Sequence, residues 1–432
     1  MRRLAAGLLS KSAFFRKLFM LAGGTMAGQA LIVISSPLLT RFFTPEGFGM
    51  FAVFGALTGI FGVAVAWRLE FAIPVIQDDE AAAAMVMVVC LVTVGMAASS
   101  ILLVWLGGPW LARIVDAPAL APLLWLLPPS LLLWGIGSAL SYWSLRNARF
   151  AVNGVNHTLQ LGSQAGGQVL LGWLGTGSGG LVLGYVLGYV VRLLHYLSQL
   201  PAAERQLMCA QSLQQLWRSA KESWRYPAFA FPSSLLQSLC NLAPAILVAA
   251  LYGPAMAGLY ALSQRIVGLP VRLLSEAASQ VFLGELRNLE GKALHRFFLR
   301  TFALFCVLGT VGMLPLLLFG PDLFALVFGE SWREAGVLVQ LLIPLFLVRF
   351  VVLPVSQLLY ALKRQDIHLL SAILNGMALV SSFGAGYLLE LDAYVTILIF
   401  SLSSSASFVF YLVITWCLSG RNDAAADSVS NE

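Results

Sequence analysis

Arg265, Arg272 and Glu276 lie seven and eleven residues along from the first on an apolar stretch that runs from about Gly253 to Gly284, long enough to cross a bilayer. At about 100° per residue those steps return to within roughly 20° of the starting direction, so on a regular helix the three side chains share one face. An ionised group at mid-bilayer costs about 2.5–3.5 kcal/mol on insertion scales and is tolerated where it meets a bundle interior or water. The spacing therefore predicts a hydrated, cationic cavity whose chemistry is to hold or move an anion. A guanidinium stays charged and forks onto phosphate oxygens, which makes Arg265 and Arg272 candidate diphosphate ligands, with Arg349 of a later apolar span as the third. Glu276, one turn past Arg272, reads first as a local ion pair that lowers the cost of burying the arginine, and second as a site for a coupling ion.

A second constellation is neutral. Asn153, Asn156, His157, Gln160, Gln164 and Gln168 follow one another at steps of three and four within one span, with shorter polar stripes at Gln237 and Asn241 and at Thr25 and Gln29. Amides both donate and accept, so the long run is expected to face a lumen and to meet sugar hydroxyls, while the Ser and Thr stripes are expected to join helices. Arg192, near a helix end, is expected to snorkel toward the interface. Cys90, Cys209, Cys240, Cys306 and Cys417 are scattered, without pairing or ligand spacing, and read as packing residues. No nucleotide loop, metal cluster, paired external carboxylates or His/Cys cluster stands in the sequence, so neither an enzyme nor a cofactor or metal is expected. The rival readings are a glycan polymerase or ligase, which would need a sizeable external loop, and a drug exporter, which would need anionic acceptors where this stripe is net positive.

The elements that must position these residues follow from composition. With 59% hydrophobic and 11% charged residues, the chain is a polytopic membrane protein, and six apolar spans fall between residues 18 and 200 and six between 227 and 417. Placing the N-terminus in the cytoplasm puts 19 of the 26 Lys and Arg inside and three, Arg41, Arg113 and Arg333, outside, so both ends are expected in the cytoplasm and nucleic acid is not needed to account for the +6 net charge. Residues 1–17 are basic and partly amphipathic and are expected on the inner leaflet. Residues 201–226 form a basic connector, read either as an interfacial helix carrying Leu213, Leu216, Trp217, Ala220 and Trp224 on one face or as a solvated linker; residues 418–432 form a polar cytoplasmic tail.

Halving the chain exposes a repeat. Phe43, Pro45, Gly49, Phe51 and Ala52 recur 209 residues later as Tyr252, Pro254, Gly258, Tyr260 and Ala261, and Ser138, Tyr142 and Arg146 recur as Ser356, Tyr360 and Arg364. Span 1 then matches span 7. The expected fold is all-α, about twelve transmembrane helices in two six-helix lobes, 18–200 and 227–417, related by a pseudo-twofold axis along the membrane normal and working by alternating access.

The run Ser36 to Gly49, with Arg41, Pro45 and Gly49, resembles the first external hairpin of bacterial oligosaccharide flippases of the polysaccharide transporter family. The stretches Arg68-Leu-Glu70-Phe-Ala72-Ile73, Tyr142-Trp143 through Arg146 to Phe150, and Gly180-Leu-Val-Leu-Gly184-Tyr agree with it. The resemblance implies membership of the multidrug, oligosaccharidyl-lipid and polysaccharide exporter superfamily. It implies flipping of an undecaprenyl-diphosphate-linked oligosaccharide from the cytoplasmic to the periplasmic leaflet of a bacterial inner membrane, for O-antigen, capsule or exopolysaccharide. Expected partners are that lipid-linked substrate, membrane lipids, a proton or sodium ion, a polysaccharide polymerase and a chain-length regulator. Related chains with fourteen spans continue where this one is expected to end in its tail after Gly420.

Overall fold

The computed structural model describes residues 23–286, 291–361 and 364–429, and every regular element among them is helical. The expected interfacial segment 1–17 lies outside the described residues. Nine segments among those described are long and apolar enough to cross a bilayer. One of them, Tyr226–Ser279, is broken at Gly253, whose φ of 84° suits a residue without a β-carbon, so that one apolar run makes two passes. Helix α1 (residues 23–42) and helix α6 (Phe150–Trp173) bring the passes to the expected twelve among the described residues. α6 does not stand out as apolar because its amide run dilutes it.

The chain divides into two compact units, Met1–Gly258 and Leu259–Glu432. Unit 1 holds α1, α2 (Pro45–Ala64), α3 (Asp79–Ile114), the short α4 (Leu120–Leu124), α5 (Leu127–Arg146), α6, α7 (Gly179–Gln199), α8 (Ala202–Cys209), α9 (Leu213–Glu222) and most of α10 (Phe231–Ser263). Local chemistry starts its helices. Thr44 caps α2, accepting from the Gly47 N–H at 3.4 Å, with Pro45 in the first turn where no N–H is needed. Asp78 caps α3, accepting from Ala81 N at 2.8 Å, and Asp79 and Glu80 add negative charge to that positive end.

The two repeat-related turns meet inside unit 1. A β-carbon built on Gly49 would land on the Pro254 carbonyl, and one on Gly258 would land on the Pro45 carbonyl. Each glycine receives the other copy's proline, the reciprocity expected where duplicated hairpins pack on one another, and only a bare backbone fits.

Unit 2 holds α11 (Leu269–Leu286), α12 (Gly291–Phe328), α13 (Arg333–Val355), the short α14 (Gln357–Ala361), α15 (Gln365–Leu388) and α16 (Ala393–Val429). Helix α13 is its axis, packed against α11, α12 and α16. Gly320 and Gly336 bring the α12 and α13 backbones together. Hydroxyls stitch the passage from α10 through α11 onto α13: Ser263 Oγ donates to the Ala335 carbonyl at 2.9 Å, Ser275 Oγ to Phe350 at 3.3 Å and Ser279 Oγ to Leu353 at 3.1 Å. That is the helix-joining role expected of serines in a membrane. The segment past Gly420, expected as a plain tail, continues α16 as helix to Val429.

Candidate functional site

The cationic stripe is present in unit 2 but does not keep one face. Residues Gln264–Gly268 form a π-helical turn that contains Arg265 and precedes Arg272. A π turn inserts a residue into the α register and shifts everything beyond it by about 100°. Arg265 is accordingly half-buried, whereas Arg272 and Glu276 are exposed and pair with each other at 3.7 Å. The regular-helix geometry expected from spacing is corrected here, because periodicity assumes a constant turn. Arg349 reaches the same neighbourhood from α13. Its guanidinium lies over the Phe408 ring of α16, 5.4 Å from the centroid, and is close enough to Tyr260 and Arg272 to couple with both electrostatically. Gln264 Nε2 donates to the Tyr260 hydroxyl at 2.9 Å. Two guanidinium groups, Arg349 and Arg272, thus stand near a hydroxyl and an amide, a donor set suited to phosphate oxygens.

The long amide run takes a different place. Asn153, Asn156, Gln160, Gln164 and Gln168 are all buried, Asn156 and Gln168 completely, in the contact between α6 and α7. Asn156 Nδ2 donates to the Arg192 carbonyl at 3.2 Å, Gln168 Nε2 to the Leu181 carbonyl at 2.8 Å, and Asn153 accepts from the Tyr196 hydroxyl at 3.0 Å. The expectation that this run faces a lumen is corrected for these five residues. The reason lies on α7, where Gly184 and Gly188 leave no room for a β-carbon against Gln168 and Gln160, so the backbones close and the amides find carbonyls. His157 is half-buried beside them. Gln237 and Asn241, by contrast, are exposed on α10, Asn241 donating to the Gln237 carbonyl at 2.9 Å.

The same glycine row reveals a residue that sequence reading misplaced. Gly180, Gly184, Gly188, Arg192 and Tyr196 follow at steps of four, so Arg192 continues the row that faces α6. It does not snorkel. Its Nη1 donates to Gln160 Oε1 at 3.4 Å, its guanidinium stands 5.8 Å from the Tyr196 ring centroid, and its Nε would lie 3.3 Å from a β-carbon on Gly137 of α5. The step of four from the glycines was the signal in the sequence.

The remaining motif residues brace the segment after α2. Trp67 and Arg68 both adopt left-handed φ, 51° and 61°, and turn the chain into a short 3₁₀ helix, Leu69–Ala72. Two consecutive non-glycine residues there store backbone strain. Glu70 is 4% exposed and pairs with Arg68 at 3.4 Å; burial raises its carboxyl above the usual value, offset by its own backbone N–H and by Arg68. The Phe71 ring packs on Tyr142, and Arg146 holds the segment with bonds to Asp79 at 2.5 Å and to the carbonyls of Ile76 and Gln77. Arg41 is exposed at the end of α1.

The connector is docked, which corrects the reading of a solvated linker. Glu204 of α8 accepts from Trp143 Nε1 at 2.7 Å and pairs with Arg149, and Ser219 of α9 donates to the Ala81 carbonyl. A capping box of Ser212 and Gln215 starts α9. Leu213 and Trp217 stay exposed, as an interfacial helix requires. Between α9 and the braced segment lies a cavity of about 210 Å³ lined by Ala72, Val75, Ser219, Glu222 and Tyr226, smaller than the ~300 Å³ at which ligand pockets begin.

Residues 38–337 match the family model described as polysaccharide biosynthesis protein. No curated protein sequence matches the chain. Among solved structures, the chain is similar to an inward-facing multidrug resistance MATE family transporter of the MOP superfamily, at 15% identity and TM-score 0.67, over 93% of this chain and 96% of that one. It is similar to the lipid II flippase MurJ in an inward closed conformation at 12% identity and TM-score 0.68, over 94% and 91%. A eukaryotic MATE transporter, AtDTX14, aligns at 15% identity and TM-score 0.53, over 95% and 98%. The expected all-α polytopic membrane fold is thus the fold of MOP-superfamily transporters.

Proposed function

The chain belongs to the polysaccharide biosynthesis protein family, and on that premise we propose that it is a flippase for undecaprenyl-diphosphate-linked oligosaccharide repeat units, moving them from the cytoplasmic to the periplasmic leaflet of a bacterial inner membrane by alternating access. The observation that carries this reading is that Arg349 of α13 and Arg272 of α11, two cations from different membrane helices of unit 2, lie within electrostatic reach of one another. Arg272 is exposed beside Glu276 and Arg349 is half-buried against Phe408, so a dianionic diphosphate can take one guanidinium fork from each helix. Arg265, turned away from Arg272 by the π turn, stands outside this pair, and Tyr260 and Gln264 supply neutral hydrogen bonds to the first sugar. The polyprenyl chain stays in lipid.

Glu276 balances Arg272 before substrate arrives and is the candidate site for a coupling proton or sodium ion. Gln237 and Asn241, exposed on α10, are the glycan-facing amides in this reading. A polysaccharide polymerase and a chain-length regulator would consume the exposed repeat unit, as O-antigen, capsule or exopolysaccharide. The test is reconstitution with a fluorescent undecaprenyl-diphosphate oligosaccharide, read as lectin binding on the outer face of proteoliposomes. Arg349→Ala is expected to slow exposure at least tenfold at unchanged protein incorporation; exposure at the wild-type rate removes Arg349 from the mechanism.

A further inference from the structure

Unit 1 holds a half-buried cation that the diphosphate reading leaves unused. Arg192 is half-buried within a membrane helix, and among the described residues its guanidinium makes one hydrogen bond, the 3.4 Å contact to Gln160. A guanidinium carries five N–H donors. No carboxylate among the described residues lies within ion-pairing distance of it. The Tyr196 ring offers a cation–π contact worth about 0.5–2 kcal/mol, short of the roughly 2.5–3.5 kcal/mol that an uncompensated arginine costs at mid-membrane. Two neighbouring polar atoms are also buried without a partner, Oδ1 of Asn156, itself 0% exposed, and Nε2 of His157, which is close enough to feel the Arg192 charge. Trp134 stacks on Tyr189 at 5.4 Å beside them. A cation, an amide oxygen, an imidazole nitrogen and flat rings in one cluster match an anionic sugar: oxygens for the guanidinium, hydroxyls for the amide and imidazole, and a C–H face for the rings.

We propose that Arg192, with Gln160, Asn156 and His157 around it, is an anion-binding site of unit 1 that takes the phosphate or carboxylate oxygens of a glycosyl phosphate. This deepens the flippase reading and rests on it, by naming a substrate contact within unit 1. A β-carbon at Gly137 of α5 would lie 3.3 Å from Arg192 Nε, so a bare backbone there is what leaves the guanidinium its room.

The test is calorimetric titration of the full-length protein in phosphatidylcholine nanodiscs with farnesyl diphosphate and, separately, with glucuronic acid, for wild type, Arg192→Gln, Arg192→Lys and Arg349→Ala. Arg192→Gln is expected to weaken one of the two probes at least tenfold, and Arg192→Lys about threefold, because lysine keeps the charge and loses the fork. Loss of farnesyl diphosphate assigns phosphate to the site, and loss of glucuronic acid assigns a sugar carboxylate. Wild-type affinity for both probes in Arg192→Gln overturns the proposal. So does a difference confined to phosphatidylglycerol nanodiscs without either probe, which would make the anion a bulk lipid headgroup. If Arg192→Gln does not fold, Arg192→Lys carries the test, and unchanged affinity for both probes again overturns it. Arg349→Ala separates the two readings. Binding lost there and kept in Arg192→Gln sinks this inference alone, and the reverse sinks the unit 2 diphosphate site alone.

Discussion

Each unit holds an arginine beside a tyrosine and a glutamine, yet the two are built from opposite materials. In unit 1 the arginine arrives on α7 at the end of a glycine row, and five amides of α6 fill the seam around it. In unit 2 the arginine arrives on α13, serines make the seam, and the neighbouring Arg272 and Glu276 are left exposed. The difference teaches that a polar stripe on a membrane helix says little until the opposing helix is known. Against a row of glycines, long amides reach backbone carbonyls and become structure. Against a helix of larger residues, charges stay outside and remain available to a ligand.

The comparison breaks most visibly at the glycines. A side chain at Gly184 would meet the Gln168 backbone nitrogen at 2.7 Å, so Gly184→Val must push α6 and α7 apart along the whole amide seam. Overpacking of a seam that cannot give costs about 3 kcal/mol or more. The expected outcome is a protein that fails to accumulate or melts far below wild type in detergent, measured by intrinsic fluorescence. Gly55, which has open space around its β-carbon position, is the matched control, and Gly55→Ala is expected to melt normally. Equal melting of the two variants would mean that the glycine row does not set the seam.

Next in size is the contrast in what each stripe does. Gln168→Leu removes the bond to the Leu181 carbonyl and leaves that acceptor buried, a loss of about 1–3 kcal/mol of stability. Flipping by the surviving folded protein is expected to be unchanged, whereas Arg349→Ala in unit 2 is expected to slow flipping at least tenfold at near-normal melting. A flipping defect in Gln168→Leu at full stability would restore Gln168 to the substrate path. Smaller still is the serine seam: Ser279→Ala removes one interhelical bond of unit 2, worth about 0.6 kcal/mol by the average for membrane helices. A loss of several kcal/mol in the same melting assay would show that unit 2 leans on its hydroxyls as unit 1 leans on its amides.

Much of the architecture was legible because apolar length and charge placement are local properties. The two-pass run across Gly253 could be read from the turn residues Gly253 and Pro254, and the hairpin duplication from Pro45 and Gly49 against Pro254 and Gly258. The site was legible only in its chemistry. Arg265, Arg272 and Arg349 were found as cations in spans, but the π turn at Gln264–Gly268 was invisible to a count at 3.6 residues per turn. The amides were assigned to the wrong side because their partners sit on another helix, 13 to 43 residues away in sequence. The docking of the connector was hidden for the same reason, since Glu204 meets Trp143 61 residues earlier.

The smallest expected effect lies at the strained turn of unit 1 and sharpens the comparison by asking whether a buried charge there behaves like the exposed pair of unit 2. Glu70 carries a carboxyl raised by burial, so desolvation outweighs what Arg68 and the backbone N–H return to it. Between the ordinary carboxyl value of 4.5 and its raised folded value the native state holds more protons than the unfolded state, so stability falls as pH rises through that window and stays at the lower level above it. Glu70→Gln keeps the shape and removes the titration. The melting midpoint of wild type is then expected to drop between pH 4.5 and neutrality, while that of Glu70→Gln declines less over the same interval and lies within about 1 kcal/mol of wild type at pH 7, as buried pairs replaced by neutral groups often do. For Arg272 and Glu276, whose side chains are 58% and 60% exposed, solvent screens the pair, and Glu276→Gln is expected to change stability at neutral pH by less than about 1 kcal/mol. Matching pH profiles for wild type and Glu70→Gln would mean that Arg68 fully compensates the buried carboxylate, and the strained turn would then owe its shape to the ion pair.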